Sequence, residues 1–81
     1  MYITKRIVYM IRKKLGLKKG ERFQFANQKS ETDRYYFTDT AVMKEYSARG
    51  KACVRLSSVS LNHLLSDECT IIKCEKLSES K

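Results

Sequence analysis

The chain has 81 residues, 42% of them hydrophobic and 10% aromatic, with 17 Lys and Arg against 9 Asp and Glu for a net charge of +8. This length makes one domain with an adequate but small core, and the apolar content excludes a disordered chain. The longest unbroken apolar run, Ile7–Ile11, is five residues, far short of the roughly 20 needed to span a membrane and shorter than the roughly 7–15 of a signal-peptide core.

The charge is concentrated at one end. Eight of the 17 cations lie between Lys5 and Arg22 with Glu21 as the only acid among them, a local charge of +7, and the rest of the chain is nearly neutral at +1. An acid-poor amphipathic start also characterises mitochondrial transit peptides, but here the segment is needed to cover the sheet that follows it.

At about 100° per residue, Met10, Ile3, Ile7, Ile11, Leu15 and Val8 fall within an arc of about 160°. Lys5, Arg6, Tyr9, Arg12 and Lys13 fill most of the opposite arc. Lys14 alone lies within the apolar arc, where its stem can snorkel outward. The pattern predicts a helix over about residues 4–15 laid on a core. Thr4 is the expected N-cap and Gly16 the left-handed residue that closes it. Lys13 and Lys14 suit the negative end of the helix dipole.

After the Lys18-Lys19-Gly20 connection, Arg22-Phe23-Gln24-Phe25 alternates polar and apolar residues, as a half-buried strand does. Ala26–Arg34 is polar throughout and reads as a mobile loop without an apolar anchor. Tyr35-Tyr36-Phe37-Thr38 is the second strand. Asp39-Thr40 is a turn, and Val42–Ser47 is the third strand. Ala48-Arg49-Gly50-Lys51 reads as a hairpin loop with Gly50 at a positive φ. Ala52, Val54 and Leu56 alternate with Cys53 and Arg55 in a fourth strand. Ser57–Ser60 offers N-caps for a short helix containing Leu61, Leu64 and Leu65. Cys69–Glu75 is the last strand. The expected fold is therefore α+β, with an N-terminal helix packed on a small antiparallel sheet or open barrel in the order α-β-β-β-β-α-β. Residues 1–76 form the domain and 77–81 a frayed tail.

Catalytic signals are weak. His63 is the only histidine, and no nucleophile or orienting acid is paired with it. Asp33 and Asp39 flank a strand without a register that joins them. Cys69 and Cys74 are five apart on one expected strand, an odd separation that turns their side chains to opposite faces. Neither forms a Cys-x-x-Cys hook. The three cysteines are irregularly spaced, which fits reduced thiols in the cytoplasm. Glycines stand singly at 16, 20 and 50, so no phosphate-cradling loop is present. No enzyme, metal or cofactor is implied.

The basic helix face carries the functional signal. Lys5, Tyr9 and Lys13 stack at i, i+4 and i+8, flanked by Arg6 and Arg12, and Lys18, Lys19 and Arg22 follow. Cations a turn apart can track phosphates, Arg can grip them in a fork, and Tyr9 can stack on a base. A solvated helix is often rich in Lys and Arg, but eight cations against one acid is more lopsided than solvation requires. Lys5, Arg6, Tyr9, Arg12, Lys13, Lys18, Lys19 and Arg22 form the expected nucleic-acid surface, for DNA or RNA. A membrane-surface role would need the apolar face that the core takes. The alternative is a protein-interaction module, either docking an acidic protein partner through the same cations or using Tyr35, Tyr36 and Tyr46 as hot spots.

Three stretches also resemble a known group. Leu15-Gly16-Leu17-Lys18-Lys19-Gly20-Glu21-Arg22-Phe23, Tyr36-Phe37-Thr38-Asp39 and Leu61–Ile72 together resemble small uncharacterised proteins encoded by phages, prophages and integrated elements of Gram-positive bacteria. The likeness covers about residues 8–73 and leaves out Ala26–Arg34 and the cysteines. It implies a small helix-plus-sheet accessory protein of a mobile element and carries no functional residues with it.

Overall fold

The computed structural model describes residues 3–75. Its elements run α1 (Lys5–Leu15), β1 (Phe23–Phe25), β2 (Arg34–Phe37), β3 (Val42–Ala48), β4 (Lys51–Leu56), α2 (Leu61–Leu65) and β5 (Ile71–Lys73). This is the α+β order read from the sequence. The five strands form one antiparallel sheet in the order β4-β3-β2-β1-β5. The sheet is open and not closed, with β4 and β5 as its edges. The expected tail at 77–81 lies outside the described residues.

Local chemistry sets the ends of α1. Thr4 is extended, and its Oγ1 accepts from the Ile7 N–H at 3.4 Å. At the other end Gly16 is left-handed at φ 70° and ψ 32°. Its N–H donates to the Lys13 carbonyl at 3.3 Å, and the Leu17 N–H donates to the Arg12 carbonyl at 2.9 Å. This is the Schellman arrangement, and it turns Leu17 inward, where it is buried.

Register decides which side chains share a face. Phe23 pairs with Tyr35, Phe25 with Ile71, and Phe37 with Val42, so these six stand on one side of the sheet. Val8 and Ile11 of α1 and Leu64 of α2 are buried against this side, with Ile3 and Leu17. The Phe23 ring stacks on Phe37 at 5.7 Å and meets Phe25 edge-on at 5.5 Å. Both helices therefore cover the same face.

The buried arc of α1 differs from the expected one. Val8 and Ile11 are buried and Ile7 and Leu15 half-buried, whereas Met10 is 59% exposed. The arc is turned toward Val8, away from the Met10 and Lys14 edge. Helix α2 has only five residues. It meets this edge at Lys14, whose Nζ donates to the carbonyls of Leu64 at 3.4 Å and Ser66 at 3.0 Å. Met10, one turn earlier, is left in solvent.

Two strand boundaries, among others, move. The expected last strand, Cys69–Glu75, narrows to Ile71–Lys73, where the register with Phe23–Phe25 holds. Both cysteines thus lie outside the strand, so strand alternation does not set their faces. The third strand extends to Ala48, which pairs with Lys51. The two-residue turn between them has positive φ at both Arg49 (52°) and Gly50 (77°), the pattern of a type I′ hairpin turn. Residues 26–33 form the expected loop without an apolar anchor, and polar groups tie it to the strands. The Gln28 Oε1 accepts from the Phe25 N–H at 2.9 Å, and its Nε2 donates to the Asp33 carbonyl at 2.8 Å. The Gln24 Nε2 donates to the Glu31 carbonyl at 2.8 Å. Asp33 is ion-paired with Lys44 at 3.1 Å.

Two substitutions test this packing. Ile11→Ala should cost about 2–5 kcal/mol in urea melts, the range for truncating a buried aliphatic side chain. Met10→Ala should change stability by less than about 0.5 kcal/mol, as an exposed position does.

Candidate nucleic-acid interface

The outward face of α1 exposes Lys5, Arg6, Tyr9, Met10, Lys13 and Lys14, with Arg12 half-buried. Tyr9 is 53% exposed. The Arg12 guanidinium carbon lies 5.8 Å from its ring centroid and the Lys13 Nζ 5.5 Å. The ring is therefore an aromatic surface flanked by two cations. Arg12 Nε is buried without a hydrogen-bond partner. Among the described residues no carboxylate is ion-paired with an α1 cation. No acid lies in the first turn, and the last turn carries Arg12, Lys13 and Lys14. The helix thus presents positive charge along its whole outer face.

Lys18 and Lys19 are exposed just past the helix cap. Lys19 sits 3.2 Å from Asp39, but both are exposed, and such a pair contributes about 0–1 kcal/mol. The Glu21 carboxylate accepts from the Lys18 N–H at 3.0 Å and lies 3.6 Å from the Lys73 Nζ. The Lys18 hydrogen bond, and secondarily the charge of Lys73, hold Glu21 below the usual carboxylate range.

Arg22 is placed differently from the other seven expected contact residues. Its Nε and Nη2 donate to the two Glu45 oxygens, each at 3.3 Å, and its Nη1 donates to the Gly20 carbonyl at 2.7 Å. The guanidinium lies 3.8 Å from the Tyr36 ring centroid. Arg22 is 17% exposed by side chain and Glu45 is 1% exposed. Tyr36 pairs with Met43 and Glu45 with Arg34, so this cluster stands on the sheet face that the helices leave bare. An arginine in a fork on a buried carboxylate, stacked on a ring, is held for structure. Lys14 and Met10 join the exposed surface instead. The helical pattern placed both on the apolar arc, but the buried arc is centred on Val8 and Ile11 and leaves them at its edge.

The remaining candidates do not converge. His63 is exposed, with its ring 5.2 Å from Phe25. Asp33 and Asp39 are each paired with a lysine. Among the described residues no group of His, Cys, Asp and Glu is arranged to hold a metal ion. Cys53, Cys69 and Cys74 are free thiols. Burial pushes the Cys69 and Cys74 thiols up, against smaller opposing effects of Lys14 and Arg34 respectively. The three tyrosines are dispersed. Tyr35 packs on Phe25 at 4.9 Å, Tyr36 lies under Arg22 on the opposite face, and Tyr46 lies on the β3–β4 hairpin.

No protein-family model, curated protein or solved structure matches the chain. Among the described residues no helix is long and apolar enough to cross a membrane.

Two outcomes check these placements. Glu45→Ala strands the Arg22 guanidinium and should destabilise the fold by about 3–5 kcal/mol, read from denaturant midpoints. Because only the thiolate is nucleophilic and burial disfavours it, Cys69 and Cys74 should alkylate more slowly at neutral pH than a fully exposed thiol and gain rate as the pH rises. Mass spectrometry of iodoacetamide time courses at stepped pH measures this.

Proposed function

We propose that this protein binds nucleic acid, DNA or RNA, with little sequence preference through the outer face of α1. Its setting is the cytoplasm, as a small accessory protein of a mobile element. The mobile-element assignment rests on the motif resemblance alone. The binding assignment rests on one observation: a helix face of Lys5, Arg6, Lys13 and Lys14 around the exposed Tyr9, with no carboxylate paired to it among the described residues.

The physical logic favours backbone contact. Lys5, Tyr9 and Lys13 are four residues apart, about 6 Å along the axis at each step, so they form a ladder rather than a point. Such a ladder follows a phosphate backbone and releases its counterions. Val8 and Ile11 are committed to the core, so α1 has few side chains left to read bases in a groove. The alternative, an acidic protein partner, would use the same cations. The tyrosine patch that would support it is divided between the two faces of the sheet.

Fluorescence anisotropy across a salt series tests the reading. With about five cations engaged, the log–log salt slope should be roughly −4 to −5 on duplex DNA and shallower on single strands. Lys13→Gln should reduce the slope by about one and weaken all sequences alike. No binding of DNA or RNA at micromolar protein and low salt would sink this function and leave the acidic-protein reading in its place.

A further inference from the structure

We propose that the β3–β4 hairpin is a second contact arm for the same ligand, and that the two arms together select single-stranded nucleic acid over duplex. This inference rests on α1 binding nucleic acid.

The hairpin has two chemically distinct faces. Register places Lys44 opposite Arg55, Tyr46 opposite Cys53, and Ala48 opposite Lys51. These six side chains share a face, and through Val42 it is the face that α1 covers further along the sheet. The other face carries Met43, Glu45 and Ser47 opposite Leu56, Val54 and Ala52. Cations and an aromatic ring thus stand on the helix side, while apolar side chains and the buried Glu45 stand on the other. Arg49, Lys51 and Arg55 are exposed, and the Arg55 guanidinium lies 5.6 Å from the Tyr46 ring centroid. No acid occurs between Glu45 and Asp67.

One feature is not explained by folding. Lys44, opposite Arg55, has its charge offset by Asp33 at 3.1 Å, but among the described residues the turn residue has no such compensation. Arg49 holds a positive φ of 52° at a turn position that Asn, Asp or Gly fill without strain. The turn therefore keeps a cation where a neutral residue would fold at least as well, and Lys51 and Arg55 add two more exposed cations on the adjoining strand. Two copies of β4 meeting edge to edge would set Lys51 and Arg55 against the same cations, so charge disfavours a second copy and favours a polyanion.

The ligand class follows from what the two arms share. Tyr9 lies beside Arg12 and Lys13, and Tyr46 lies beside Arg55. Each arm offers a ring and a guanidinium on which a base can stack, with further cations for the adjoining phosphates. Stacking needs unpaired bases, which a single strand presents and a duplex does not.

The test compares binding of a poly-dT oligonucleotide and a duplex of equal length by anisotropy over a salt series. Wild type should prefer the single strand by about tenfold or more. R49N/K51T/R55T should weaken single-strand binding about tenfold and reduce the log–log slope by about 2, since each phosphate contact contributes about 0.7 on single strands. Y46L should weaken it with the slope unchanged. R49N alone suits the turn better than the native residue, so it keeps the fold if the triple variant melts early; it should lower the slope by about 0.7. Wild-type affinity and slope in R49N and the triple variant, with loss in K5Q/R6Q/K13Q, would overturn the hairpin arm and leave the α1 reading standing. A preference for the duplex would overturn the single-strand assignment. No binding of either ligand would remove both readings.

Discussion

Val8 and Ile11 seat α1 on Phe23, Phe37 and Val42, and most other features of the molecule depend on that contact. Because α1 and α2 are both drawn to the same aromatic face, the sheet has one covered side and one bare side. The seating also aims α1: with Val8 and Ile11 turned inward, Lys5, Arg6, Tyr9 and Lys13 can only point outward. The core and the candidate interface are thus two consequences of a single helix orientation.

The bare side of the sheet has its own solution. A buried carboxylate without a partner would cost several kcal/mol, and Glu45 avoids that cost through the fork of Arg22. The same guanidinium lies over Tyr36 and ties down the Gly20 carbonyl. One arginine of the basic segment is therefore consumed in joining the chain after α1 to the centre of the sheet. The other cations of that segment carry no comparable structural duty, apart from Lys14, which caps the end of α2. Charge in this protein divides into a small part that holds the fold and a larger part left facing water.

The segment at 26–33 shows how a polar stretch can be tied down by hydrogen bonds without a core of its own. Gln24 and Gln28 supply both donors and acceptors to the backbone of the loop, and the Ser30 Oγ accepts from the Asp33 N–H at 3.3 Å. Composition registers the lack of apolar residues in such a stretch and not the geometry of its side-chain amides.

Features whose cause is local were legible in the sequence. Thr4 and Gly16 end α1 through hydrogen bonds spanning a few residues, and Gly50 marks the hairpin because only certain residues accept its φ. The alternation of Phe23 and Phe25 and the element order follow from periodicities of two and 3.6. What tertiary structure decided was every question of partner. Whether Met10 faces core or solvent depends on how α1 is turned on the sheet. Whether Arg22 serves a ligand or the fold depends on Glu45, 23 residues away in the chain. That the cations of the β3–β4 hairpin share a face with α1 depends on register across four strands. Such outcomes are set by contacts between segments remote in sequence, and a one-dimensional pattern carries the periodicity of a side chain but not the identity of what it meets.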